Sequence, residues 1–274
     1  MRPKRSLGQN FLKNVGIAEK MASFAEVDSH DTVVEVGPGR GMLTQVLLRH
    51  AAHVIAVEKD DNLYKHLLST FRDSQELELL HQDILESDLY QVIPDGAKIV
   101  ANFPYNIATQ LILRFVDHAR RLSSVVVMLQ KEVAQRICAH RGEKGYSSLS
   151  VVVAAGFDTS LGFIVGPNNF SPRPRVDSQV IRMTPKDCPL PREDLELFKR
   201  VVACAFGQRR KTLRNSLARL PLMYEDILNE LASFTGISLG SRPQEVTPEQ
   251  FHSFSKRYEK FLTEASLVTL PEKD

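Results

Sequence analysis

The stretch Thr32-Val33-Val34-Glu35-Val36-Gly37-Pro38-Gly39-Arg40-Gly41 decides the fold. It reads as a buried strand running into a glycine-rich turn, and an apolar helix through Leu43, Val46 and Leu47 follows. Glycines between a first strand and its helix let a ligand approach the backbone closely. A dinucleotide fingerprint would need a further glycine where Met42 stands. The Gly-x-Gly-x-Gly spacing with Glu35 just upstream instead fits the folds that bind S-adenosylmethionine. That cofactor has no pyrophosphate to seat on a helix N-terminus.

Outward from this unit, strand-like runs alternate with helical periodicity. The candidate strands are 32–36, 53–57, 77–81, 98–101, 124–129, 160–165 and 179–183. Segments such as Ile107, Leu111, Leu113, Phe115 and Val116 carry the helical spacing between them. The alternation predicts an α/β fold, a mostly parallel Rossmann-like sheet with helices on both faces. The last two strands have no helix between them and are expected to be antiparallel. The run Val151-Val152-Val153 is read as part of a buried helix rather than a strand. Pro185, Pro189 and Pro191 break the pattern, which divides the chain into a catalytic domain, 1–184, and a small all-helical domain, 185–274. In the second domain three apolar stripes are expected to form the core: Leu195, Phe198, Val201, Val202 and Ala205; Ile227, Leu228, Leu231 and Phe234; and Phe251, Phe254, Tyr258 and Phe261. Thr247-Pro248-Glu249-Gln250 matches a capping box with proline at the first helical position.

Three strand ends carry the chemistry. Glu58 closes the second strand, about twenty residues past the first glycine, where a carboxylate accepts both hydroxyls of a ribose. Asp83 closes the third and suits the amino group of a cofactor adenine. Asn102-Phe103-Pro104-Tyr105 follows the fourth and brings together an amide, a proline carbonyl and an aromatic face. Such a set holds the exocyclic amine of a planar base. The lone pair of that nitrogen is delocalised into the ring, and two oxygen acceptors favour a more tetrahedral, more nucleophilic nitrogen. Tyr105 adds a stacking face, worth roughly 1–3 kcal/mol per base. Pro104 fixes its own φ and contributes no competing N–H, so its carbonyl is expected to point outward.

The composition is ordinary for a globular chain of 274 residues, with a net charge of +2, and the balance as a whole does not advertise a polyanion partner. Its distribution does. Arg2, Lys4, Arg5 and Lys13 precede the first acid, Glu19, and 206–220 carries Arg209, Arg210, Lys211, Arg214 and Arg219 with no acid. Basic clusters on a near-neutral chain point to a local nucleic-acid face, and the first of them reads as an RNA-contacting arm in preference to a short transit peptide. Cys138, Cys188 and Cys204 make no metal pattern and read as buried thiols in a reducing cytosol. His66, His81 and His140 lack paired ligand spacing, and no metal site is expected. No apolar run is long enough for a membrane span, and the basic start is not followed by a signal-peptide core.

With these motifs placed, the chain resembles the small-subunit (bacterial 16S) ribosomal RNA adenine dimethyltransferase family from Gln9 to about its last helix. Further signposts are Gln9-Asn10-Phe11-Leu12, Phe170-Ser171-Pro172-Arg173-Pro174-Arg175-Val176-Asp177-Ser178 and Phe206-Gly207-Gln208-Arg209-Arg210-Lys211-Thr212-Leu213-Arg214-Asn215. Phe103 departs from the leucine or isoleucine usual in the family and keeps the position apolar. The resemblance implies a class I methyltransferase fold in which Asn10 and Leu12 close over S-adenosylmethionine. Gly37 and Gly39 would line its methionine end, and Glu58 and Asp83 would hold ribose and adenine. It implies that Asn102 grips the target amine and that Tyr105 and Phe170 sandwich the target base. The reaction would be methyl transfer to N6 of two adjacent adenosines in the 3′-terminal hairpin of small-subunit RNA. Arg209, Arg210, Lys211 and Arg214 would contact phosphates, and the protein would act as a cytoplasmic monomer on the immature 30S subunit. Rival readings are a large-subunit RNA dimethyltransferase, an assembly factor without essential catalysis, and a nicotinamide dehydrogenase. Met42 and the lack of an obvious catalytic His or Tyr-Lys pair disfavour the last.

Overall fold

The computed structural model describes residues 10–208 and 210–268. The basic arm over residues 2–5, Gln9 and Arg209 lie outside them. Two compact units emerge, one built from Met1–Cys138 and Gly156–Pro189, the other from Ala139–Ala155 and Leu190–Asp274.

In the first unit β1 (Phe11–Leu12), α1 (Val15–Phe24), β2 (Thr32–Val36), α2 (Met42–Leu47), β3 (His53–Glu58), α3 (Asp61–Thr70), β4 (Leu77–His81), α4 (Leu89–Val92), β5 (Ala97–Asn102), α5 (Ala108–Val116), β6 (Leu122–Gln130) and α6 (Lys131–Ile137) follow in order. The second unit then takes α7 (Ser148–Val153), after which β7 (Phe157–Val165), β8 (Phe170–Ser171) and β9 (Ser178–Pro185) complete the first. The main sheet has the order β4-β3-β2-β5-β6-β9-β7. Its first five strands are parallel, while β9 lies antiparallel between β6 and β7. All seven expected strands are present, and the closing pair is antiparallel as its short connection requires. A parallel sheet covered on both faces demands near-continuous apolar strands. Val33, Val34, Ile99, Val100 and Val125 are accordingly sealed from solvent. In α5 the buried stripe is Ala108, Leu111, Ile112, Phe115 and Val116, one position away from the expected Leu113.

Strand order reverses at β2, whose neighbours are β3 and β5. The carboxyl ends of β2, β3, β4 and β5 therefore share one edge, and the crevice at such a switch point is where open α/β sheets bind ligands.

Helices α8 (Arg192–Phe206), α9 (Leu213–Leu217), α10 (Glu225–Thr235) and α11 (Pro248–Val268) make up the second unit with α7. The Val151–Val153 run is indeed a buried helix. It belongs with α8–α11, so the unit is discontinuous in sequence. The expected boundary after Thr184 falls instead at Pro189, because β9 continues through Pro185 to pair with Phe157. Leu195, Phe198, Val201, Val202 and Ala205 form the core stripe as expected, joined by Phe251, Phe254 and Tyr258. Phe234 departs from its stripe. It is 66% exposed, with the Arg257 guanidinium 5.1 Å from its ring centre. The capping box is present at α11: Gln250 N–H donates to Thr247 Oγ1, and Thr247 N–H donates to Gln250 Oε1, both at 3.2 Å. Cys138 is buried, but Cys188 is exposed and Cys204 half-buried. No helix among the described residues is long and apolar enough to cross a membrane.

Candidate active site

The glycine loop is held open by geometry that only glycine tolerates. Gly39 and Gly41 have φ of +60° and +81°. A Cβ on Gly39 would sit 2.9 Å from the Phe11 ring, and one on Gly41 2.6 Å from Phe71. The loop thus lies directly against β1 on one side and the end of α3 on the other. Gly37 N–H donates to the Val57 carbonyl at 2.9 Å, which ties the turn to the neighbouring strand.

Glu58 ends β3 with its carboxylate beneath this loop. Gly39 N–H donates to Oε2 at 3.2 Å, and Asp60 N–H donates to Oε1 at 2.8 Å. Burial raises its pKa above the ordinary carboxylate value, and the two backbone donors oppose that rise. Asp83, just past β4, is balanced the other way. Partial burial penalises its charge, but the Lys59 ammonium, the Leu85 N–H and the Arg114 guanidinium together outweigh burial and lower its pKa. Lys59 Nζ donates to Asp83 Oδ2, while Leu85 N–H donates to Oδ1 at 2.9 Å. Glu35 is 2% exposed on β2. Burial pushes its carboxyl up to about 8, against a 2.6 Å bond from the Thr44 hydroxyl, and the nearby Glu58 charge adds to the rise.

At the end of β5, Asn102 Nδ2 donates to the Asn10 carbonyl at 3.1 Å. One of the two amide hydrogens is thereby used, and no described residue donates to Oδ1. Phe103 turns inward, 1% exposed, with its ring 6.0 Å from that of Phe115. Its ring thus packs into the core, while the residue also forms part of the cavity wall. The Pro104 carbonyl is not wholly free as expected: it accepts Ile107 N–H at 3.2 Å at the start of α5. Its second lone pair remains.

These groups wall one cavity of about 170 Å³, room for on the order of a dozen waters. Asn10, Leu12, Gly37, Gly39, Glu58, Asp83, Asn102 and Pro104 all line it, so residues far apart in sequence meet around a single space. Tyr105 and Phe170 are not among the lining residues. The Tyr105 hydroxyl is 2.6 Å from Ser178 Oγ in a partly buried position. Phe170 is 2% exposed and packs in the core cluster with Leu12 and Met21. It presents no open face to a base in this conformation. Lining residues that motif reading passed over include Arg40, Lys59, Gln82 and Asn106. Arg40 stands inside the quoted glycine-rich stretch and the others next to a quoted motif residue, and that placement was the available signal.

In the helical unit Arg210 and Lys211 are exposed. Arg214 is partly spent: Nη1 donates to Glu225 Oε1 at 2.8 Å and Nη2 to Asn229 Oδ1 at 3.3 Å. The acid-free stretch thus acquires an acid from α10 across space. Among the described residues no group of His, Cys, Asp and Glu is arranged to hold a metal ion.

Comparison with known proteins agrees with this geometry. A family model described as ribosomal RNA adenine dimethylase matches residues 1–260. The ribosomal RNA small subunit methyltransferase A of Geobacter metallireducens is 38% identical over 262 residues, covering 93% of this chain and 95% of its own. The protein of the same name from Streptococcus pyogenes serotype M4 is 41% identical over 235 residues, 83% of this chain and 79% of its own. Among solved structures, a dimethyladenosine transferase from Plasmodium falciparum superposes with a TM-score of 0.73 at 25% identity, over 91% of this chain and 98% of that one. The 23S rRNA methyltransferase ErmE gives 0.68 at 26% identity, over 91% and 100%.

Proposed function

From the premise that the chain belongs to the ribosomal RNA adenine dimethylase family, we propose that it dimethylates N6 of two adjacent adenosines in the 3′-terminal hairpin of small-subunit ribosomal RNA. The cofactor is S-adenosylmethionine, and the residues present suit it: the glycine loop lines the cavity at Gly37 and Gly39, with Glu58 and Asp83 on adjacent strands for ribose and adenine. When bound, it supplies an electrophilic methyl group on a sulfonium. The chain's own residues supply position. Asn102 Oδ1 and the remaining lone pair of the Pro104 carbonyl accept the two hydrogens of the target amine. The amine becomes acidic only as it is alkylated, so no strong general base is needed, and catalysis is mainly positioning and exclusion of water. The target adenine has to leave its stack to enter. Tyr105 and Phe170 are assigned to the target base on the family pattern, and Phe170 would have to turn out of its packed position to stack.

One observation carries this reading: the Asn102 amide is anchored through its nitrogen to Asn10, leaving its oxygen as acceptor beside the cofactor cavity. Arg209, Arg210, Lys211 and Arg214 are assigned to phosphate contact, with the immature 30S subunit as partner and the protein a cytoplasmic monomer. Incubation with labelled cofactor and purified immature small subunits, followed by nucleoside analysis, should yield dimethyladenosine. Absence of transfer to any RNA would overturn the proposal. The resemblance to ErmE keeps large-subunit RNA as a second reading, and label on the large subunit alone would establish it.

A further inference from the structure

Asn169 lies outside the cavity, yet both of its oxygens are committed to the segment that enters it. Its main-chain carbonyl accepts Lys13 N–H at 2.9 Å. Its Oδ1 accepts Asn14 Nδ2 at 2.8 Å, and its own Nδ2 donates to the Gly166 carbonyl at 3.0 Å. Asn14 Oδ1 in turn caps α1 through Gly16 N–H at 2.9 Å. Immediately alongside, β1 and β8 pair Leu12 with Phe170 and Phe11 with Ser171. The clasped segment leads back to Asn10, whose carbonyl receives the Asn102 amide hydrogen. An unbroken series of contacts therefore joins a partly exposed asparagine in the loop before β8 to the residue that grips the target amine.

We infer that Asn169 is a positioning residue for methyl transfer, holding the Asn102 amide in its accepting orientation through the strap 10–14. The inference rests on the role given to Asn102 above. A primary amide rotated half a turn presents two donors where it had presented an acceptor, and a target amine, itself a donor, is then repelled. One neutral hydrogen bond biases the two orientations by only about two- to tenfold. Slack in the carbonyl that makes that bond is therefore felt in the fraction of productive complexes. Leu12 and Phe11 stay anchored by burial, 6% and 7% exposed, so the cofactor's own contacts are less sensitive to the clasp.

The test uses the full chain with saturating S-adenosylmethionine and immature small subunits in single turnover. Asn14→Asp keeps the cap oxygen but removes the donor to Asn169, and Asn169→Ala removes the acceptor. Each should slow transfer by about two- to tenfold with cofactor affinity changed less than that. Combining the two should be no worse than the slower single variant. Asn169→Asp, which preserves the acceptor but gives up the donor to the Gly166 carbonyl, should recover part of the rate lost in Asn169→Ala. In an Asn102→Ala background the Asn169→Ala change should cost nothing further. Wild-type rates in both single variants, or a full additional loss in the Asn102→Ala background, would overturn the inference. Full transfer by Asn102→Ala alone would instead defeat the reading of the site on which it rests. Asn14 is exposed, and its variant keeps the helix cap, so the clasp is broken without unfolding the protein.

Discussion

Replacing Glu58 with glutamine tests the cofactor side of the site. In the folded chain the carboxylate accepts from Gly39 N–H and Asp60 N–H, and both bonds are charge-assisted. A glutamine satisfies one donor and turns an NH2 toward the other. The loss, about 1.5–3 kcal/mol for a hydrogen bond to a charged group, is partly offset because a neutral amide no longer suffers the burial that raises the pKa of Glu58. Stability should therefore fall by no more than about 1–2 kcal/mol. Cofactor binding loses more. A carboxylate accepting two ribose hydroxyls contributes two charge-assisted bonds, and halving them and removing the charge costs about 3 kcal/mol, or roughly a hundredfold in Kd. Titration calorimetry with S-adenosylmethionine gives the Kd, and thermal unfolding of the ligand-free protein gives the stability. A Kd within threefold of wild type would show that Glu58 serves only to brace the glycine loop.

Asn102→Ala should lower the single-turnover rate by about a hundredfold or more, on the scale set by losing one preorganised polar group at a reacting centre. Cofactor affinity should hardly change, and calorimetry beside the rate assay separates the two. Removing the charges at Arg210 and Lys211 should weaken RNA binding and flatten its dependence on salt by about one unit of slope for each phosphate left without its cation. A slope equal to wild type would move the RNA-binding face elsewhere. Glu35 predicts a pH effect with a definite sign. Burial raises its pKa to about 8, so the folded protein binds a proton more tightly than the unfolded one. The associated stability is present below the unfolded carboxyl value and is lost as pH rises toward 8. Melting temperature of the ligand-free protein should fall across that window, and Glu35→Gln should remove that part of the slope. Parallel curves for the two proteins would mean that Glu35 is ionised throughout.

The main sheet was legible because buried parallel strands leave unmistakable apolar runs, and strand-end acids mark the ligand edge of such a sheet. Asn102, Glu58 and Asp83 could be placed together on that ground alone. What escaped reading depends on neighbours distant in sequence. A two-residue strand such as β1 has no periodicity, so its pairing with β8 left no trace. Arg214 looked free until α10 brought Glu225 beside it. Phe234 has the spacing of a core residue but lies on the outer side of its helix. Phe170 carries the family's pattern for base stacking, yet its burial beside Leu12 follows from the β1–β8 pairing that sequence did not disclose.

The excursion through α7 makes the helical unit dependent on the order of synthesis. Leu149, Val151, Val152 and Val153 are buried in the finished protein, but α8, against which α7 packs, starts about 40 residues later. At ribosomal speeds of roughly 5–20 residues per second, those side chains wait a few seconds for their neighbours while β7, β8 and β9 emerge. A gene fragment beginning at Leu190 omits α7 altogether. It would leave bare the apolar surface that α7 covers, and a soluble stand-alone version of the unit would have to graft residues 139–155 back on.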